Sequence, residues 1–216
     1  MLLILGGYLS GSIPTAYLAA QATRHIDLRR FGSGTVSGSM VYEHVSHWMI
    51  IPVGIFDIAK AALPTWVALE LGMGETIAGV VGLAAIAGHN WPIYLGFTGG
   101  RGISPFLGLL LVLFPWGFPW MLAFLAIGFA LGDSAPWVLS SLISMPLLIA
   151  RLEAPLAIYM SVAGMILLTV VKRLEANRRP LPPPGVDRWK VVIRRLLLDR
   201  DIQDHQEWIR RKPNLS

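Results

Sequence analysis

Four short segments break an otherwise apolar chain, and they hold most of the residues able to do chemistry. Phe31-Gly32-Ser33-Gly34-Thr35-Val36-Ser37-Gly38-Ser39-Met40 contains three Gly, three Ser and one Thr within eight positions. Such a run either turns successive backbone N–H groups inward as an anion nest or acts as a flexible linker. Hydroxyls at Ser33, Thr35 and Ser37 would add donors to a nest. Asp57 and Lys60 are three apart, so on a helix they share a face. They form either a self-satisfied ion pair or a functional Lys reaching toward a phosphate. Gly88-His89-Asn90-Trp91-Pro92 runs on to Gly99-Gly100-Arg101-Gly102. This is a second candidate nest, with a guanidinium whose planar head suits bidentate phosphate binding. His89 also fits a hydrogen-bonded residue at a span end, with Trp91 and Tyr94 in an aromatic belt. The fourth segment, Gly7 to Tyr17, has Gly7 and Gly11 four apart, a spacing that close helix packing explains. Two glycine-rich loops and two cations point to phosphate without naming a reaction.

These residues need positioning elements, and composition says where the elements lie. The 216-residue chain is 54% hydrophobic and 14% charged, against about 25% charged for soluble domains. Its mean hydropathy is +0.59. An all-α polytopic membrane protein follows, because a span needs roughly 20 apolar residues. Seven spans are expected, at 1–23, 46–70, 76–95, 103–115, 119–132, 135–150 and 154–172. Residues 102–132 are uncharged and too long for one span, and Pro115 with Pro119 should break them into a hairpin. The N-terminus lacks a basic leader region, so a cleaved signal peptide is not expected. Cys is absent, which excludes disulfides, cysteine zinc sites and thiol catalysis.

Charge orients the spans. Residues 1–171 carry a net −1 and residues 172–216 a net +6. Arg24, Arg29 and Arg30 lie in the first loop, Arg101 in the loop at 96–104, and Lys172, Arg173, Arg178 and Arg179 at the start of the tail. The intervening turns at 72–75 and 114–118 have no Lys or Arg; Arg151, beside Glu153, is the exception. Seven spans with one basic side place the N-terminus outside and the C-terminus in the cytoplasm. Residues 1–175 then form the membrane domain and 176–216 a basic cytoplasmic tail. Pro180, Pro182 to Pro184 and Gly185 end the last span. Residues 186–200 read as an amphipathic helix with Trp189, Val192, Ile193, Leu196 and Leu197 at helical spacing among Arg and Lys. An interfacial helix or a partner-binding helix would fit. Residues 201–216 are expected to be loose. No nucleic-acid motif accompanies the basic tail.

Taken in order, the motifs resemble those of the bacterial acyl-phosphate:glycerol-3-phosphate acyltransferases, the small PlsY-type membrane enzymes, over roughly residues 5–175. Gly11-Ser12-Ile13-Pro14-Thr15-Ala16-Tyr17-Leu18 is similar to their first-span signature, Gly32-Ser33-Gly34 to the opening of their first loop, and Asp57-Ile58-Ala59-Lys60 to their Asp-x-x-Lys. Gly88-His89-Asn90-Trp91-Pro92 and Phe97-Thr98-Gly99-Gly100-Arg101-Gly102 resemble their third-span exit and glycine loop. The resemblance implies that the 1-hydroxyl of glycerol 3-phosphate attacks an acyl phosphate at the cytoplasmic face of the plasma membrane, giving lysophosphatidic acid without metal or cofactor. It implies Ser33 as the catalytic residue orienting the reactants. Lys60 and Arg101 would hold phosphate, Asp57 would orient Lys60, and His89, Gly32, Gly34, Thr35, Gly99, Gly100 and Gly102 would line the substrates. The acyl chain would lie among the spans.

Departures from the family pattern are concentrated in the first loop. Thr35 and Met40 stand where the family has Asn, and Glu43 where it usually has Arg. An anion there would repel a phosphate. Arg101 replaces the Lys of Gly-Gly-Lys-Gly, keeping charge but not shape. The family's His and Asn at the last span's end align nearest to Arg173 and Ala176. Another polar acceptor, or a silent lipid-binding scaffold, is therefore an alternative to the parent reaction. Ser37 with His89 does not have the loop pattern of an intramembrane serine protease, and no inverted repeat marks a transporter.

Overall fold

In hydrocarbon, backbone polar groups must be satisfied within the segment, and this chain does so with helices. The computed structural model describes residues 1–210, and no strand occurs among them. In chain order the helices are α1 (Leu2–Gly11), α2 (Thr15–Arg24), α3 (Gly38–His44), α4 (Ile50–Glu70), α5 (Gly74–Asn90), α6 (Ile103–Leu113), α7 (Gly117–Ala130), α8 (Ser134–Arg151), α9 (Leu156–Glu175), α10 (Val186–Leu198) and α11 (His205–Arg210).

Seven apolar elements occupy the expected positions. Five are long enough to cross a membrane: Leu2–Arg24, His47–Glu70, Gly74–Leu95, Ser134–Arg151 and Leu156–Arg178. The pair α6 and α7 is shorter, at 11 and 14 residues. They extend only ~16 and ~21 Å, against a hydrocarbon core of ~30 Å. The hairpin break falls at Pro115 as expected. Pro119, expected to break the segment too, instead sits in the first turn of α7, where its missing N–H costs nothing. The first span is not one rod, because Ser12 to Pro14 interrupt it between α1 and α2.

Packing explains the small residues. α1 lies along α5 and α4, α4 on α6, and α9 on α5 and α8. A Cβ on Gly7 would come 2.7 Å from the Val81 carbonyl, and Gly11 faces the Ala85 backbone still more closely. These glycines let α1 and α5 touch backbone to backbone. Ile86, Phe106, Leu109, Met121, Leu142 and Met165 form the main core between α5 and α9. Phe56, Leu147, Leu156 and Leu167 are more than half exposed, as lipid-facing residues would be.

The tail corrects one expectation. Residues 201–210 are not loose: α11 forms, and Trp208 is buried with the Arg179 guanidinium 4.6 Å over its ring. The remainder of that expectation, residues 211–216, lies outside the described residues. α10 matches the expected amphipathic helix, and it is pinned to the bundle. Arg173 Nη1 donates to the Leu196 carbonyl at 2.6 Å, and Arg195 Nη1 to the Leu174 carbonyl at 3.0 Å. Arg200 Nη1 donates to Asp133 at 2.6 Å.

Candidate active site

The centre of the site is a carboxylate. α4 places Asp57 and Lys60 one turn apart on its buried face, and Lys60 Nζ lies 2.7 Å from Asp57 Oδ1. The side chains are only 2% and 6% exposed. His89, at the end of α5, brings Nδ1 to 3.7 Å from the same oxygen. Thr15, the first residue of α2, donates its hydroxyl to Asp57. Lys60 also donates to the Ile13 carbonyl at 3.1 Å, in the break of the first span. An interrupted span leaves carbonyls without helical partners, and this lysine serves one of them. Ser10 Oγ in turn donates to the Lys60 carbonyl at 3.1 Å. Three spans thus meet at one charged cluster, and the first-span signature acts through Thr15 and Ile13. A small cavity opens there, lined by Pro14, Thr15, Val36, Lys60, His89 and Gly99 among others.

The first loop forms the neighbouring wall. Asp27 caps the short turn Leu28–Arg30, and its hydrogen bonds with the Arg29 guanidinium hold its carboxyl below the ordinary range. Gly32 and Gly34 then take positive φ values of 49° and 71°. Ser33 Oγ lies 2.7 Å from Thr35 Oγ1 and 3.4 Å from Met40 Sδ. The hydroxyl chain continues through Ser37 to Ser39, so Ser37 bonds its neighbours rather than His89. Ser33 is half-buried and Thr35 buried.

In this arrangement several expected nest amides are already used. Gly34 N–H donates to the Phe31 carbonyl at 2.8 Å, Val36 N–H to Gly99 at 3.2 Å and Gly100 N–H to His89 at 3.1 Å. They bind the two loops to each other and to α5 instead of facing an anion. Gly100 has a second reason to be glycine: a Cβ there would run into the His89 imidazole. Gly102 opens α6 with φ 77°.

Three placements differ from the sequence reading. Arg101 does not line the cavity: its Nε lies 2.7 Å from Asp199 and its Nη1 3.3 Å from the Lys172 carbonyl. A tail carboxylate holds the cation assigned to phosphate. Arg173 is also committed elsewhere, to carbonyls of Leu196, Leu197 and Ala135. Beside Ala176, Asn177 does what the alignment of Ala176 missed. Its Nδ2 donates to the Gly34 carbonyl at 3.3 Å and the Gly99 carbonyl at 3.4 Å, clasping both glycine loops. Glu43 is exposed on α3 and has no part in the buried cluster.

Lys172 was also missed. It is fully buried, 3.1 Å from Glu175 and 5.0 Å over the Trp91 ring. Trp91 Nε1 donates to the same carboxylate at 3.3 Å. A buried cation at a helix end was the available signal.

The profile described as glycerol-3-phosphate acyltransferase matches residues 1–181. The chain belongs to this family. Among its relatives, glycerol-3-phosphate acyltransferase 5 of Dehalococcoides mccartyi is 36% identical over 222 residues, covering 98% of this chain and 93% of that protein. The glycerol-3-phosphate acyltransferase of Synechococcus sp. (strain CC9902) is 31% identical over 185 residues, 82% of this chain and 88% of the relative. The crystal structure of PlsY (YgiH), an integral membrane glycerol 3-phosphate acyltransferase in its glycerol 3-phosphate form, superposes with a TM-score of 0.73 at 25% identity. It covers 82% of this chain and 90% of that one. The Dehalococcoides alignment spans almost the whole chain, so it extends into the α10 tail, whereas the family profile stops at 181.

Proposed function

We propose that this chain transfers an acyl group from an acyl phosphate to glycerol 3-phosphate, giving lysophosphatidic acid. The substrate hydroxyl oxygen attacks the acyl carbonyl carbon, and the bond from that carbon to the phosphate oxygen breaks. Inorganic phosphate leaves and carries the hydroxyl proton, so the reaction balances without a further reactant. The observation that carries this reading is the buried Asp57–Lys60–His89–Thr15 cluster, three of whose members (Lys60, His89 and Thr15) line a cavity shared with Val36 and Gly99 of the two glycine-rich loops. A lysine held by a carboxylate and a backbone carbonyl is a preorganised cation for an anionic substrate. Ser33, on the adjoining loop, orients the reactants, and much of the rate comes from that positioning.

The site faces the cytoplasm in this proposal. The first loop, the Arg101 loop and the tail are linked through Val36, Asn177 and Asp199 at one end of the bundle. That end carries Arg24, Arg29, Arg30 and most tail cations, which supports a cytoplasmic assignment, an outer N-terminus and residence in the plasma membrane. Residues 1–175 are the acyltransferase body in this proposal and 176–216 its tail, of which the described residues dock on the body.

The test is phosphate release by purified protein in lipid, from palmitoyl phosphate with glycerol 3-phosphate. Release should require the acceptor and should fall at least ~100-fold in Ser33→Ala, the scale of a lost positioning or oxyanion contact. Wild-type protein that folds and releases no acceptor-dependent phosphate would overturn the assignment.

A further inference from the structure

α10 presents a face that the acyltransferase body does not cover. Val186, Trp189, Ile193 and Leu197 are 72, 69, 53 and 51% exposed. Their spacing of three, four and four residues aligns them in one stripe. Arg195, two residues past Ile193 and about 200° around the helix, is 1% exposed. It bonds Asp201, the Leu174 carbonyl and the Pro180 carbonyl. The bundle therefore fixes which way the apolar stripe points, outward and opposite to Arg195.

The position of α10 selects the occupant. Arg173, near the end of the spanning helix α9, donates to the carbonyls of Leu196 and Leu197. The stripe's Leu197 end thus lies beside the end of a membrane span. On α9 itself Leu167, Val171 and Leu174 are exposed in the last turns, continuing an apolar surface up to that junction. Lys190, exposed, and Arg194, half-buried, run along one edge of the stripe, and Arg188 is exposed on the far side. Asp187 is the single acid on the helix, paired with Lys190 at 3.4 Å. An exposed Trp in an apolar stripe edged by cations suits the headgroup level of a bilayer with anionic lipids.

We propose that α10 is a membrane-surface anchor, seating its Val186–Trp189–Ile193–Leu197 stripe in an anionic bilayer beside α9. Its C-cap is Asp199, the carboxylate on Arg101, so lipid contact at one end of α10 steadies the glycine loop at the other. The anchor stands independently of the reaction assigned above.

The chain has no cysteine, so one introduced thiol is a unique reporter. Ile193→Cys replaces an exposed residue and removes no core contact; it would carry an environment-sensitive fluorophore on the full chain in nanodiscs. Discs of phosphatidylcholine alone are compared with discs containing roughly 30% phosphatidylglycerol, whose headgroups give the surface a negative charge. In anionic discs the label should blue-shift, be quenched by brominated lipid and be shielded from aqueous iodide. An Arg188→Cys label, on the other side of the helix, should stay open to iodide. Lys190→Gln with Arg194→Gln should weaken the docking by about 5-fold for each cation removed. A label at 193 that iodide reaches in anionic discs would overturn the anchor. Shielding from both iodide and brominated lipid would overturn it too, in favour of a second copy of the chain.

Discussion

Lys60→Met separates a functional lysine from a structural one. It leaves the Asp57 carboxylate 2% exposed with its main partner gone. Breaking a buried pair in this way costs about 3–5 kcal/mol. The Thr15 hydroxyl still donates to Asp57, which sets the expectation at the low end, about 3 kcal/mol. For a chain of this size 1 kcal/mol moves Tm by about 2–4 °C, so Lys60→Met should melt about 6–12 °C lower. Adding Asp57→Asn removes the unpaired charge, and the double variant should recover most of that loss. Activity should behave differently. If Lys60 holds a substrate phosphate, a charged hydrogen bond worth about 1.5–3 kcal/mol is gone in both variants. Acceptor-dependent phosphate release should then stay about 10- to 150-fold down in kcat/KM in the double variant as well as in the single one. Melting followed in parallel with phosphate release on protein in lipid gives both readouts. A double variant that regains its Tm and turns over like wild type would refute the reasoning, because the pair would then be purely structural.

Three further substitutions probe the walls of the site. Gly100→Ala drives a methyl into the His89 imidazole, so it should abolish turnover and lower Tm measurably, whereas a loop with room to spare would tolerate it. Asn177→Ala leaves the Gly34 and Gly99 carbonyls without their shared donor. At about 1–3 kcal/mol for the two partly buried hydrogen bonds together, turnover should fall about 5- to 150-fold with the first loop loosened, visible as faster amide exchange around Gly34. Glu43→Ala should change kcat/KM by less than about 3-fold, since exposed charges couple weakly to a buried site. A large gain in that variant would place Glu43 in the path of the substrate.

The sequence by itself determined the fold class, the positions of seven apolar elements and the presence of Asp57, Lys60, Ser33 and His89 as the polar residues worth watching. These were legible because hydropathy and helical spacing are local: apolar length reports a span, and three residues of separation report a shared helix face. That Gly7 and Gly11 mark a close helix contact was legible for the same reason, while its partner, α5, was not. The fate of each cation was not. Lys60 and Arg101 look equivalent in the sequence, yet one pairs with Asp57 inside the bundle and the other with Asp199, 98 residues away. Only the docking of the tail decides that, through contacts of Arg173, Arg195 and Arg200 with distant backbone and side-chain oxygens. Pairings across such separations depend on how helices close on one another, and local periodicity carries no record of them. Asn177 shows the same limit at single-residue scale. Its left-handed turn swings the amide onto two loops that precede it by 143 and 78 residues, a placement that the sequence reading, which looked to Ala176, did not contain.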